Sequence, residues 1–189
     1  VHVLDELRGH SEPLRLAGMA ADYVRVHLDD PSLEGLEDDR IAEAPLGLSS
    51  ALLSAAGERL NARSRLISAA FRYSESADEL GWRVAGGGPG AHPAGHVAIM
   101  ALGEPDARSR PNRDSVALWR HTPSGAVGGD TAPLEDRFRS EAWAMQGLVP
   151  LLSERLVIVP TAAYLSLWPM SLPGGSRLIW VAYVDIHSA

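Results

Sequence analysis

Residues 85–95 read AGGGPGAHPAG, and a run with that much Gly and Pro is neither helix nor central strand. It splits the 189-residue chain into two stretches that obey different rules. Residues 1–83 carry 15 acidic side chains against 9 arginines, whereas four of the five tryptophans lie beyond the run. The chain therefore reads as a helical unit over 1–84, a linker over 85–95, and a small α+β region over 96–189, complete or cut short.

Helical periodicity dominates the first stretch. Leu53, Ala56, Leu60, Ile67, Ala70 and Ala77 fall on three- and four-residue steps, and Leu52, Leu66, Ala69, Tyr73 and Leu80 widen the stripe. Arg59, Arg63 and Arg72 keep mostly to the other side. With Ser49 or Ser50 as N-cap and Gly81 as the stop, this predicts one helix of roughly thirty residues. Leu14, Ala17, Ala21, Val24 and Leu28 predict an earlier helix over about 12–28, with Pro13 tolerated in its first turn. Two amphipathic helices must bury their stripes on each other, on the second half or on another chain.

Charge and composition exclude several functions. A net charge of −7 and a pI near 5.4 argue against nucleic acid, whose phosphates call for clustered basic residues. All 17 basic residues are arginine, a bias that fits codon pressure in a GC-rich genome. Cysteine is absent, which removes disulfides, thiolate metal sites and cysteine nucleophiles together. No apolar run approaches the ~20 residues of a membrane span, and no signal-peptide pattern opens the sequence. A cytoplasmic protein is expected, or one exported without a cleavable signal.

Residues 2–24, HVLDELRGHSEPLRLAGMAADYV, and residues 50–82, ending SAAFRYSESADELGW, resemble the helical-hairpin proteins of actinobacterial type VII secretion. The EspC-like relatives of the WXG type are the nearest pattern. The resemblance implies a helical hairpin that pairs with a protein partner, such as a second hairpin. It also implies export without a cleaved signal, addressed by a Tyr-x-x-x-Asp/Glu tail. It marks Tyr73, Glu75, Asp78 and Trp82 as an export signal or partner-binding set. Ala77 holds the fourth position after Tyr73, however, and Asp78 comes one residue late, about 100° further around a helix. The other reading of the stretch makes Tyr73 a core residue and the acidic tail a solvated helix end.

Beyond the linker, residues 95–102 and 114–121 read as strands, and so do RLVIVP, AAYLSLWPM and SRLIWVAYVDI, with LPGGS as a turn. Leu134, Phe138, Ala142, Met145 and Leu148 fall at helical spacing. The segment from Arg155 to Pro160, with Leu165, Pro169 and Leu172-Pro173, resembles the opening hairpin of CHAT domains, caspase-like peptidase relatives. With no cysteine in the chain, that resemblance bears on fold only. A Gly-, Pro-, Arg- and Trp-rich stretch can also arise from an off-frame reading of GC-rich DNA.

No catalytic set stands out. His92 and His96 are four apart, but Pro93 and Gly95 between them oppose a helix and no Glu follows His92, so a metal site would need Asp106 or His121 from a distance. The glycine-rich run 122–130 lacks the Lys of a phosphate loop, Ser124, Ser166 and Ser171 have no nucleophile elbow, and His187 beside Asp185 lies in the terminal stretch. No cofactor and no metal is expected. The preferred expectation is a mixed fold, an all-α hairpin followed by α+β. Its function would be that of a type VII secretion-associated protein without enzymatic activity, acting through partner binding. The alternative is a truncated or degenerate CHAT-like hydrolase domain without catalytic residues.

Overall fold

Leu7, Ser11, Leu14 and Gly18 recur at alternating four- and three-residue steps, and all four are buried. The last three lie on helix α1 (Arg8–His27), which therefore turns one narrow stripe inward and leaves Leu16 and Met19 on its exposed side. In the computed structural model, residues 1–27, 41–74, 94–102, 114–121, 143–152, 154–161, 164–169 and 177–188 are described. Strand β1 (His2–Leu4) precedes α1, and β2 (Ile41–Glu43) leads into α2 (Leu46–Leu60).

The expected thirty-residue helix is half that length. Its N-cap is Pro45, and Ser49 lies inside the helix, buried. At the other end Asn61 takes a left-handed conformation with φ 50° and ψ 48°, and its N–H turns back onto the carbonyls of Gly57 and Glu58. The chain then runs straight as strand β3 (Ala62–Ser74). The same apolar positions fit both readings. Leu66 and Ala69 belong to the expected helical stripe, yet with Phe71 they sit on one side of a strand once the irregularity between Leu66 and Ser68 is allowed for.

Strands β4 (His96–Ala101), β7 (Leu156–Pro160) and β9 (Arg177–Ser188) join β1, β2 and β3 in a six-stranded antiparallel sheet of order β1-β7-β4-β9-β3-β2. A second sheet of order β6-β5-β8 contains β5 (Asp114–His121), β6 (Trp143–Pro150) and β8 (Tyr164–Pro169). Residues 143–150, assigned from their spacing to a helix, are thus strand β6; residues 122–142 lie outside those described. Strands β7 and β8 belong to different sheets, so the CHAT-like strand–turn–strand is not a hairpin.

Two apolar layers hold this together. On one side of the large sheet, Leu14 of α1 and Leu52, Leu53 and Ala56 of α2 pack on Phe71, Met100, Ile158 and Trp180. On the other side, Val97, Ile99, Val157, Val159 and Val181 meet Val116 of the second sheet. Burying each such Leu, Ile or Val is worth about 1.5–3 kcal/mol. Cover on both faces explains why β4 and β7 read as unbroken apolar runs instead of alternating ones. The architecture is two β-sheets with two helices on the outer face of the larger one, which replaces the all-α N-terminal hairpin expected from the sequence.

Candidate functional site

The space between the two sheets is bounded by side chains that alternate with the helix-facing ones. Along β9, Ile179, Val181 and Tyr183 take the inner side while Trp180, Ala182 and Val184 face the helices. Along β4, Val97, Ile99 and Ala101 lie directly opposite Tyr183, Val181 and Ile179, so they share that side. The apolar residues of this surface are aliphatic apart from the phenol ring of Tyr183, and register sets Glu43 and Ser68 on the same side.

Charge enters at the two ends of this surface. At the end where β9 begins, register puts position 177 on the same side as Ile179, and position 72 directly opposite Ile179. Both are arginines, on neighbouring strands and two residues apart along the ladder. Two cationic positions thus border an apolar interior.

At the far end of β9, Asp185 accepts the Gly95 backbone N–H at 2.8 Å on Oδ1 and an Arg65 N–H at 2.8 Å on Oδ2. The Gly95 hydrogen bond, followed by that from Arg65, holds the Asp185 carboxyl below the usual carboxylate range. Thr161 closes the same corner, donating through its hydroxyl to the Ala94 carbonyl at 2.7 Å and through its N–H to the Gly95 carbonyl. His96 begins β4 on the helix-bearing side, opposite Val184 and Pro160. Its Nδ1 is buried and has no hydrogen-bond partner among the described residues. Burial, followed by repulsion from His2, pushes the imidazole below its ordinary pKa.

Of the residues singled out from the sequence, Tyr73 lies in β3 paired with Leu178 of β9. Glu75, Asp78 and Trp82 lie outside the described residues, as do His92 and Asp106. Because Tyr73 is on a strand, the helical phase between it and Asp78 no longer applies. Position 121 ends β5. Among the described residues no three His, Asp or Glu side chains are grouped to hold a metal ion, and no helix is long and apolar enough to cross a membrane. Sequence reasoning missed Arg72 and Arg177 because they become neighbours only when β3 and β9 pair.

No protein-family model and no curated protein matches the sequence. Among solved structures, the chain is similar to HygX from Streptomyces hygroscopicus with nickel and 2-oxoglutarate bound, at 15% identity and TM-score 0.52, covering 97% of this chain and 81% of that one. A prolyl-4-hydroxylase from Pseudomonas putida aligns at 14% identity and TM-score 0.47, covering 97% and 91%. AviO1 from Streptomyces viridochromogenes Tue57 aligns at 14% and 0.47, covering 93% and 84%. The HygX likeness and the β-rich architecture overturn the resemblance to type VII secretion hairpins, the secretion function drawn from it and the CHAT alternative. The second helix of the expected hairpin came, beyond Asn61, from an apolar pattern that a strand satisfies equally well. The chain shares its overall fold with HygX.

Proposed function

We propose that the chain binds a small carboxylic acid of the 2-oxoglutarate class between its two sheets, at the end marked by Arg72 and Arg177. The observation that carries this is the register of β3 and β9, which sets position 72 opposite Ile179 and position 177 two residues before Ile179 on the same side, bordering an apolar interior. Guanidinium groups match a carboxylate with two parallel N–H donors, and an apolar surround strengthens such a pair. HygX, a solved structure of similar fold, holds 2-oxoglutarate. At 15% identity, shared architecture does not transfer chemistry. The reading is therefore one of acid binding by this chain's own residues.

Thermal unfolding in increasing 2-oxoglutarate tests it. Saturation at a hundred times Kd adds about 2.7 kcal/mol of stability, so the melting temperature should climb with ligand, while an uncharged diamide of similar length should leave it unchanged. Arg177→Gln and Arg72→Gln should each remove the response without lowering the unliganded melting temperature by a comparable amount. An acid-induced shift that persists in both variants sinks the assignment.

A second reading, oxidation of a further substrate at a bound metal, is favoured by the nickel that accompanies 2-oxoglutarate in HygX. It needs metal ligands that this chain can place together.

A further inference from the structure

Polar side chains collect on the inner side of the large sheet beyond the apolar layer. Among the described residues, the large-sheet side chains that pack with Val116 of β5 belong to β4, β7 and β9, and none comes from β3 or β2. Glu43 of β2 and Ser68 of β3 share that side by register, yet both are exposed. Resting on the acid-binding reading above, we infer that this face holds a second ligand beside the acid, a small organic ammonium ion, with Glu43 as its counter-ion and Ser68 as a further acceptor.

Glu43 stands at the centre of the arrangement. It pairs with Ala70, while Ile41, two residues back on the same strand, pairs with Arg72, so Glu43 is a diagonal neighbour of position 72. Ser68 lies two residues from Ala70 on β3, which makes it the diagonal neighbour of Glu43 on the other flank, and it pairs with Tyr183 of β9. Diagonal neighbours on one sheet face are about 7–8 Å apart, so a ligand at position 72 adjoins a ligand at Glu43. The strand irregularity supplies the hydroxyl. Leu66 pairs with Val184 on the helix-bearing side, so plain alternation would put Ile67 opposite Tyr183, and the register shift puts Ser68 there instead.

The charges on this face call for a cation. Asp185, also on the inner side, has both carboxylate oxygens engaged by Gly95 and Arg65. Glu43 and Ser68 have no side-chain hydrogen bond or ion pair among the described residues. A dianionic acid at position 72 is repelled by the Glu43 carboxylate, and an apolar border screens that repulsion poorly. An ammonium ion between the two replaces the repulsion with two attractions. Its three N–H donors need acceptors, which the Glu43 carboxylate, the Ser68 hydroxyl and the acid provide, and Ala70 between them gives its carbon chain an apolar rest. Acid and cation then bind with reciprocal coupling.

Calorimetric titration of the whole purified chain with 2-oxoglutarate, at neutral pH and fixed ionic strength in EDTA, tests this with ethanolamine as the probe cation and ethylene glycol as its uncharged counterpart. Ethanolamine should tighten the Kd of the acid by about fivefold or more, and ethylene glycol should leave it unchanged. Glu43→Gln should bind the acid more tightly in the absence of ethanolamine and lose the response to it, while melting as the parent does because its side chain is exposed. Ser68→Ala should weaken the response, and Glu58→Gln, an exposed carboxylate of α2, should keep it in full. Acid binding that ignores ethanolamine, or an ethanolamine response that survives Glu43→Gln, overturns the inference and keeps the acid-binding reading. A Kd that answers to Ni²⁺ in the absence of EDTA but not to ethanolamine gives Glu43 to a metal ion and overturns it as well. No acid binding under any condition removes the acid-binding reading, and the inference with it.

Discussion

Trp180 of β9 donates its indole N–H to the Ser49 hydroxyl of α2 at 3.0 Å, with both residues fully buried. One polar bond thus crosses the apolar layer between helix and sheet and fixes which turn of α2 faces which residue of β9. Ser49→Ala leaves the buried indole N–H without its acceptor, at a cost of about 1–3 kcal/mol. Trp180→Phe removes the donor and part of the packing, so it should cost more. The double variant should cost less than the sum of the two, because the orphaned N–H is gone; denaturant midpoints at equal slope measure all three. Full additivity would mean that the bond contributes nothing.

Asn61 decides where helix ends and strand begins. At φ 50° it occupies a conformation that Gly and Asn adopt readily and β-branched residues do not. Asn61→Gly should change stability by a few tenths of a kcal/mol, whereas Asn61→Ile should cost about 1–2 kcal/mol. If isoleucine is tolerated and circular dichroism shows added helix, the thirty-residue helix is an accessible alternative.

Two glycines of α2 should respond to alanine in opposite directions. A Cβ at Gly57 would lie 2.7 Å from the Ala62 carbonyl oxygen, part of the backbone that turns from α2 into β3. Gly47 is exposed, with nothing within 4 Å of the same position. Alanine is favoured over glycine in a helix by up to about 1 kcal/mol, so Gly47→Ala should raise the melting temperature. Gly57→Ala should lower it despite the same propensity gain.

The imidazole of His96 makes stability fall on the acid side of neutrality. Its folded pKa is depressed by burial and by His2, so the unfolded chain binds the proton more readily. Stability from this group is complete above the unfolded value near 6.5 and declines as pH drops through it toward the folded value. In His96→Gln the slope of unfolding free energy against pH between about 6.5 and 5 should flatten. An unchanged slope would assign the acid sensitivity to other groups.

Asp185 acts in a lower window. Its folded pKa lies below the ordinary 3.8, through the Gly95 N–H and then Arg65, so its contribution is present above that value and lost as pH falls further. Asp185→Asn should remove this dependence below about pH 4 and loosen the corner where Gly95 meets β9. Amide exchange at Gly95, faster in the variant at neutral pH, reports the second effect.

Much of the strand content was legible because the strands are short apolar runs with clear ends. The expected segments 95–102, 114–121 and 155–160 became β4, β5 and β7 with boundaries shifted by a residue at most, and β9 extends two residues beyond the run read for it. Helix α1 was also foreseen, though it starts at Arg8 and carries Pro13 inside it. Residues 62–74 were misread because Leu66 and Ala69 satisfy a 3.6-residue stripe as well as a bulged strand. The one local cue was Asn61, whose capacity for positive φ permits a helix to stop there without requiring it.

Local pattern alone set the presence of α1, the strand runs VAIM and LVIV, and the lack of any cysteine chemistry. The identity of β3 was settled by β9, which offers twelve paired positions along one edge, with β2 on the other edge, to a segment whose own period is ambiguous. The same pairing made the candidate site. Arg72 and Arg177 belong to opposite halves of the chain, and no spacing rule links them, because a sheet ladder joins residues by register and not by separation in sequence. Which side of the sheet faces the second sheet likewise depended on where two helices and three further strands came to rest.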